Sequence, residues 1–251
     1  MQDLLLARRL GVRLLSTLFP RECAACTAPS DDAPFCAPCA RGVVPRARGC
    51  LRCDGACEPG ADASAEAVGL CLRCRWAPPP FEVGYAVFDY LGPVGDAIRA
   101  GKYDAHPESL PAVADALVDL LPRSLRTDLP GVVVPVPLHP SRLARRPVDA
   151  PGLLGRRVAR ALAVRLERGG LRRVRDTRPQ AGLTGREREV NLDGAFFGHG
   201  RLEGADVLLV DDVMTTGATL RAAARALAEV GVGRVRVLAA AAVGLGPGPE
   251  R

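Results

Sequence analysis

Apolar and polar positions along the second two thirds of the chain sort into alternating strands and helices. Val207 to Val210 is a short apolar run, long enough for one buried strand of a parallel sheet. Asp211 and Asp212 follow at its carboxyl end, and then Met214-Thr215-Thr216-Gly217-Ala218-Thr219. Leu220, Ala223, Ala224, Leu227 and Ala228 recur at helical spacing, so a helix begins near Gly217 or Ala218. Val132 to Val134 predicts a second buried strand and Arg234 to Val243 another. Residues 81–91 alternate loosely through Val83, Tyr85 and Val87 and read as an edge strand or a hairpin. Pro93 to Lys102 predicts a short helix, and Leu110, Val113, Ala114, Leu117 and Leu121 a second one stopped by Pro122. Residues 152–168 read as a basic amphipathic helix with Leu154, Val158, Leu162 and Leu166 inward, and 171–175 as a short strand. Residues 176–192 are polar and carry no apolar repeat. The alternation predicts an α/β fold, a mostly parallel sheet with helices on both faces. In such sheets ligands sit beyond the carboxyl ends of the strands, where the segment after Val210 falls.

The first third is different. Eight of nine cysteines form four Cys-x-x-Cys pairs: Cys23/Cys26, Cys36/Cys39, Cys50/Cys53 and Cys71/Cys74. This is metal spacing rather than disulfide spacing, and four thiolates suit one tetrahedral zinc ion. Two four-cysteine zinc sites in a small ribbon domain are expected. Sequential pairing is favoured because each loop then closes locally, with an interleaved, cross-braced pairing as the alternative. Cys57 is left over as a free thiol. The clusters are expected to fold a segment too small to hold itself together, with docking of a partner as the second reading. Ala77-Pro78-Pro79-Pro80 is a stiff joint. The expected organisation is an amphipathic helix over 1–20, a double zinc ribbon over 21–76 and the α/β domain over 81–245.

Composition adds three constraints. A hydrophobic content of 48% is enough for a packed core, which excludes a disordered chain. No apolar run reaches membrane-span length, and arginines interrupt the N-terminal leucines. A cytoplasmic protein with reduced thiols is therefore expected. Lys102 is the one lysine among 34 basic residues, so arginine alone is a weak signal here and Lys102 a stronger one. Residues 141–178 hold twelve arginines against three acids, which suits either a phosphate backbone such as single-stranded DNA or a solvated helix face.

The chemistry concentrates at 211–219. Backbone N–H groups at a helix start are unpaired and favour an anion; Thr215, Thr216 and Thr219 add hydroxyls, and Gly217 lets the backbone approach. Carboxylates beside such a cradle do not bind the phosphate. They suit ribose hydroxyls or a metal carried by a diphosphate. A Walker loop is excluded, because no Gly-Lys-Ser/Thr is present.

Val207 to Leu220 resembles the 5-phosphoribosyl diphosphate (PRPP) motif of type I phosphoribosyltransferases. Paired zinc knuckles, the Pro-rich joint, Val134-Pro135-Val136-Pro137-Leu138-His139-Pro140, Asp176-Thr177-Arg178-Pro179-Gln180 and this motif, in that order, resemble the ComF family over nearly the whole chain. The resemblance implies PRPP with Mg²⁺ as ligand, an association with competence for DNA uptake, and single-stranded DNA and a helicase as partners. It implies that Asp211 and Asp212 hold the ribose and that Met214, Thr215, Thr216, Gly217, Ala218 and Thr219 hold the 5-phosphate. Val136, Leu138 and His139 would offer N–H groups to the diphosphate, since the prolines between them have none. Residues 176–191 match a loop that closes over PRPP, with Arg178, Gln180, Arg186 and Arg188 as candidates. Lys102 matches a position near the diphosphate, although Gly101 stands where the family has leucine. One departure is clear: Arg145 to Pro151 replaces the family's Arg-Gly-Phe-Asn-Gln stretch.

Overall fold

The computed structural model describes residues 21–30, 33–55, 69–103, 106, 108–144, 148–177 and 184–244. The expected helix over 1–20, Cys57, Arg178 and Gln180 lie outside the described residues, and so does the side chain of Arg186.

In chain order, β1 (Arg21–Glu22), β2 (Pro29–Ser30), α1 (Ala37–Ala40) and α2 (Leu72–Trp76) belong to the cysteine-rich part. Then come β3 (Val83–Asp89), α3 (Gly92–Tyr103), α4 (Ser109–Asp119), α5 (Arg123–Thr127), β4 (Val132–Pro135), α6 (Pro140–Leu143), α7 (Ala150–Leu162) and β5 (Arg165–Leu166). The chain continues through β6 (Leu171–Arg173), α8 (Gly185–Leu192), β7 (Phe196–Gly198), β8 (Asp206–Met214), α9 (Ala218–Ala228) and β9 (Arg234–Ala242). Five strands form one parallel sheet in the order β3-β9-β8-β4-β5. β3 is therefore an edge strand and not half of a hairpin. β6 and β7 make a separate antiparallel ribbon.

Strand residues point alternately to the two faces, so each face needs its own cover. Val133, Leu208, Val210 and Leu238 meet Val94 and Ile98 of α3, Val113 and Leu117 of α4, and Leu154 and Val158 of α7. Val132, Val134, Val207, Leu209 and Val237 meet Leu220, Ala223 and Leu227 of α9, together with Leu171 and Phe196 of the ribbon. Helices on both faces of a parallel sheet match the expected fold class. Among the described residues, no helix is long and apolar enough to cross a membrane.

Two predicted elements differ. The helix expected over 152–168 begins at Ala150, where Asp149 Oδ1 accepts the Gly152 N–H, and ends at Leu162. Ala163 takes a left-handed conformation (φ 55°), which turns the chain out of the helix. Leu166 then pairs with Val133 as part of an edge strand. The polar stretch over 176–192 contains α8. Thr184 Oγ1 accepts the Glu187 N–H while Glu187 accepts the Thr184 N–H, and this capping box starts a helix that no apolar repeat announces.

Candidate functional site

β8 does not end at Val210. β9 keeps pairing with it as far as Met214, so the acidic pair lies within the last part of the strand and both carboxylates are buried. Their surroundings differ. Asp212 Oδ2 lies 2.8 Å from Lys102 Nζ, in the last turn of α3. Burial opposes the charge on Lys102, but the carboxylates of Asp212 and then Asp211 outweigh it and raise its pKa. Asp211 accepts the Asp212 N–H at 2.9 Å. Burial and then the negative Asp212 push its carboxyl up to about 7, with Lys102 and Arg173 pulling the other way. One acid is thus paired with a buried cation, and the carboxyl of the other is held well above the usual carboxylate range.

The segment after β8 turns at Gly217, whose φ of +72° favours glycine, and enters α9. The main-chain N–H groups of Thr215, Thr216 and Gly217 have no hydrogen-bond partner among the described residues. Cationic side chains converge on this turn from two directions. Arg188 of α8 donates to Thr215 Oγ1 at 2.7 Å, and Arg73 of α2 donates to the Thr216 carbonyl at 2.9 Å.

The prolines of 135–137 leave fewer donors than the sequence promises. The Val136 N–H is already given to Val210 O at 2.8 Å, because the β4–β8 ladder runs one residue past Pro135. The Leu138 and His139 N–H groups have no hydrogen-bond partner among the described residues. The loop is also tied to the root of the polar segment. His139 Nδ1 lies 2.9 Å from Ser141 Oγ, which donates to Asp176 Oδ2 at 2.6 Å. Arg142 donates to the Thr177 carbonyl and Arg173 to the Thr177 hydroxyl.

The cysteines group as Cys23, Cys26, Cys36, Cys39 and as Cys50, Cys53, Cys71, Cys74, which is the sequential pairing. Four sulfurs ~2.3 Å from one tetrahedral ion stand about 3.8 Å apart. Cys26 and Cys36 sulfurs are 3.7 Å apart, and Cys53 and Cys71 sulfurs 3.8 Å, so both clusters fit a zinc ion. Burial and the neighbouring Cys74 and Cys50 push the Cys53 thiol up, and a cation among the sulfurs would favour its thiolate.

The structure therefore brings together Lys102, Asp211, Asp212, Thr215, Thr216, Gly217 and Arg188. It adds Arg73, Arg173 and Arg221, which the sequence left among undistinguished arginines. It also thins the basic segment. Arg157, Arg165 and Arg168 pair with Asp115, Glu167 and Asp149, and Arg173 is buried. Arg156 and Arg160, four apart on α7, stay exposed on one face of that helix.

Residues 153–251 match the phosphoribosyl transferase domain family, the class of fold that this sheet and the turn after β8 define. The chain is 33% identical over 200 residues to the DNA utilization protein YhgH of Salmonella typhimurium, covering 78% of this chain and 85% of that protein. It is 32% identical over 164 residues to the protein of the same name from Escherichia coli K12, covering 64% and 72% of the two chains. Competence protein F of Haemophilus influenzae is 29% identical over 168 residues, covering 64% and 73%. The chain belongs to the family of these proteins, the ComF family.

Proposed function

We propose that this chain binds PRPP with Mg²⁺ at the turn after β8 and presents the ribose C1 for transfer. The observation that carries this reading is the run of N–H groups at Thr215, Thr216 and Gly217, without a partner among the described residues, shortly after a buried acidic pair. These groups, the start of α9 and the Thr219 hydroxyl would take the 5-phosphate. Asp211 and Asp212 would take the ribose hydroxyls. Leu138 and His139 would face the diphosphate, and Lys102 would hold Asp212 in place. The oxygen donors of Asp211 and Asp212 suit Mg²⁺, which when bound neutralises charge on the diphosphate. Arg188 approaches from α8, so the polar segment of 176–191 would cover the ligand and exclude water. Titration calorimetry with PRPP and Mg²⁺ tests this. Micromolar binding is expected for wild type and at least a hundredfold weaker binding for Asp211→Asn/Asp212→Asn. Equal heats for the two proteins end the reading.

A second activity is supported by exposed Arg156 and Arg160 and by the names of the relatives, which tie those proteins to DNA use and competence. Contact with a single-stranded phosphate backbone would be salt-dependent and indifferent to sequence. Fluorescence anisotropy of a labelled oligonucleotide should show Arg156→Glu/Arg160→Glu binding at least tenfold more weakly, with a flatter salt slope. An unchanged slope removes this surface from the account.

A further inference from the structure

The second cysteine cluster is tied directly to the phosphate turn. Arg73, between Cys71 and Cys74, donates from Nη1 to Thr216 O at 2.9 Å. Arg221, in the first half of α9, donates to Ala77 O at 3.1 Å and lies 3.7 Å from Cys74 Sγ through its other terminal nitrogen. The far side of the cluster rests on β3: the Gly84 N–H donates to Arg52 O at 2.7 Å, and the Ala86 N–H donates to buried Asp54 at 2.7 Å. A methyl at Gly84 would come within 3.0 Å of Cys53 O, so the cysteine turn lies flat on the edge strand.

One peptide unit receives the consequence. The Thr216 C=O and the Gly217 N–H are opposite ends of a planar trans peptide, so they point in opposite directions. While Arg73 holds the carbonyl on the cluster side, the N–H is turned to the other side, where it has no hydrogen-bond partner among the described residues. Gly217 has no Cβ to resist rotation of that peptide, so its own preferences do not choose between the two orientations. A carbonyl rotated the other way would put a partial negative charge where the N–H now points and would repel an anion.

We propose that Arg73 is a positioning residue of the phosphate turn. Metal held by Cys50, Cys53, Cys71 and Cys74 keeps Arg73 in place, and so sets the orientation of the Thr216–Gly217 peptide and the turn's affinity for a phosphate-bearing ligand. The affinity part rests on the phosphoribosyl reading of the site; the peptide orientation does not. Coupling of this kind is reciprocal, so ligand at the turn should raise the equilibrium affinity of the second cluster for metal and leave that of the first unchanged.

The test uses the full chain with two zinc ions confirmed by metal analysis. Hydrogen exchange is followed at the hydrogen-bonded amides of 213–220, such as that of Ala218, with 23–40 as internal control, and PRPP titration is run on the same samples. In Arg73→Ala with both ions retained, exchange at 213–220 should quicken at least tenfold while 23–40 is unchanged, and PRPP binding should weaken about tenfold. Arg73→Gln, which keeps an N–H donor, should restore slow exchange in large part. Wild-type exchange at 213–220 in zinc-replete Arg73→Ala overturns the proposal. If that variant does not fold, a chelator is added to wild type and cysteine alkylation reports which cluster has emptied. Emptying the second cluster must quicken exchange at 213–220; no change overturns the proposal. If wild type gives no heat with PRPP while the turn still responds to Arg73→Ala, the phosphoribosyl reading falls and the peptide assignment stands.

Discussion

Lys102→Ala is expected to destabilise the fold by about 3–5 kcal/mol, because it strands a buried carboxylate without its cation. Lys102 and Asp212 are each 9% exposed at the side chain and 2.8 Å apart, so little water is present to take over the lost contact. The nearest other acid makes matters worse, since Asp211 already repels Asp212. Urea denaturation should show the midpoint falling accordingly. The double variant Lys102→Met/Asp212→Asn removes both charges and should recover most of the stability, yet should still fail to bind PRPP. A loss below about 1 kcal/mol in the single variant would mean that Asp212 is served by solvent rather than by Lys102.

Asp211→Asn should do the opposite at mildly alkaline pH and make the protein more stable. The wild-type carboxyl is held up to about 7 by burial and by Asp212, against an ordinary value of 3.8. Between those limits the folded chain keeps a proton that the unfolded chain has lost. Wild-type stability therefore falls as pH rises from about 4 to about 7 and levels off above it. Asparagine does not titrate, so at pH 8 the variant should exceed wild type by roughly 2–4 kcal/mol, and at pH 4 by almost nothing. The ligand's preference runs the other way. A ribose or metal contact needs the carboxylate, so wild-type affinity for PRPP should rise toward tenfold per pH unit below 7 and flatten above it. Thermal melts at pH 4 and pH 8 decide the first part. An Asp211→Asn variant no more stable than wild type at pH 8 would show that folding does not hold the Asp211 carboxyl above its ordinary value. The contrast is the expected mark of a binding residue: a group costly to the fold is kept where function needs its charge.

Much of this was legible along the chain. Strand runs such as Val132 to Val134 and Val207 to Val210 are too apolar for anything but a sheet covered on both faces, and five parallel strands follow. The cysteine spacing named the two clusters because a Cys-x-x-Cys turn brings its own sulfurs together, whatever lies around it. The turn after β8 was readable for the same reason: its donors come from neighbouring residues of one strand–helix junction. Local devices without apolar periodicity were harder. The Thr184–Glu187 capping box is written in the sequence but starts a helix with no core-facing stripe, and the left-handed Ala163 carries no residue-level warning.

Charge partnership was decided only in three dimensions. Twelve arginines between 141 and 178 look alike in one dimension; folding buries Arg173 beside the acidic pair and leaves Arg156 and Arg160 in solvent. Val136 loses its free N–H to a neighbouring strand, and Lys102 meets Asp212 from 110 residues away in the chain. Arg73 reaches Thr216 across 143 residues. The physical reason is common to all of these. Hydrophobic period and metal spacing are properties of consecutive residues, whereas the state of a charge or a donor depends on what packing brings against it and how much water it leaves.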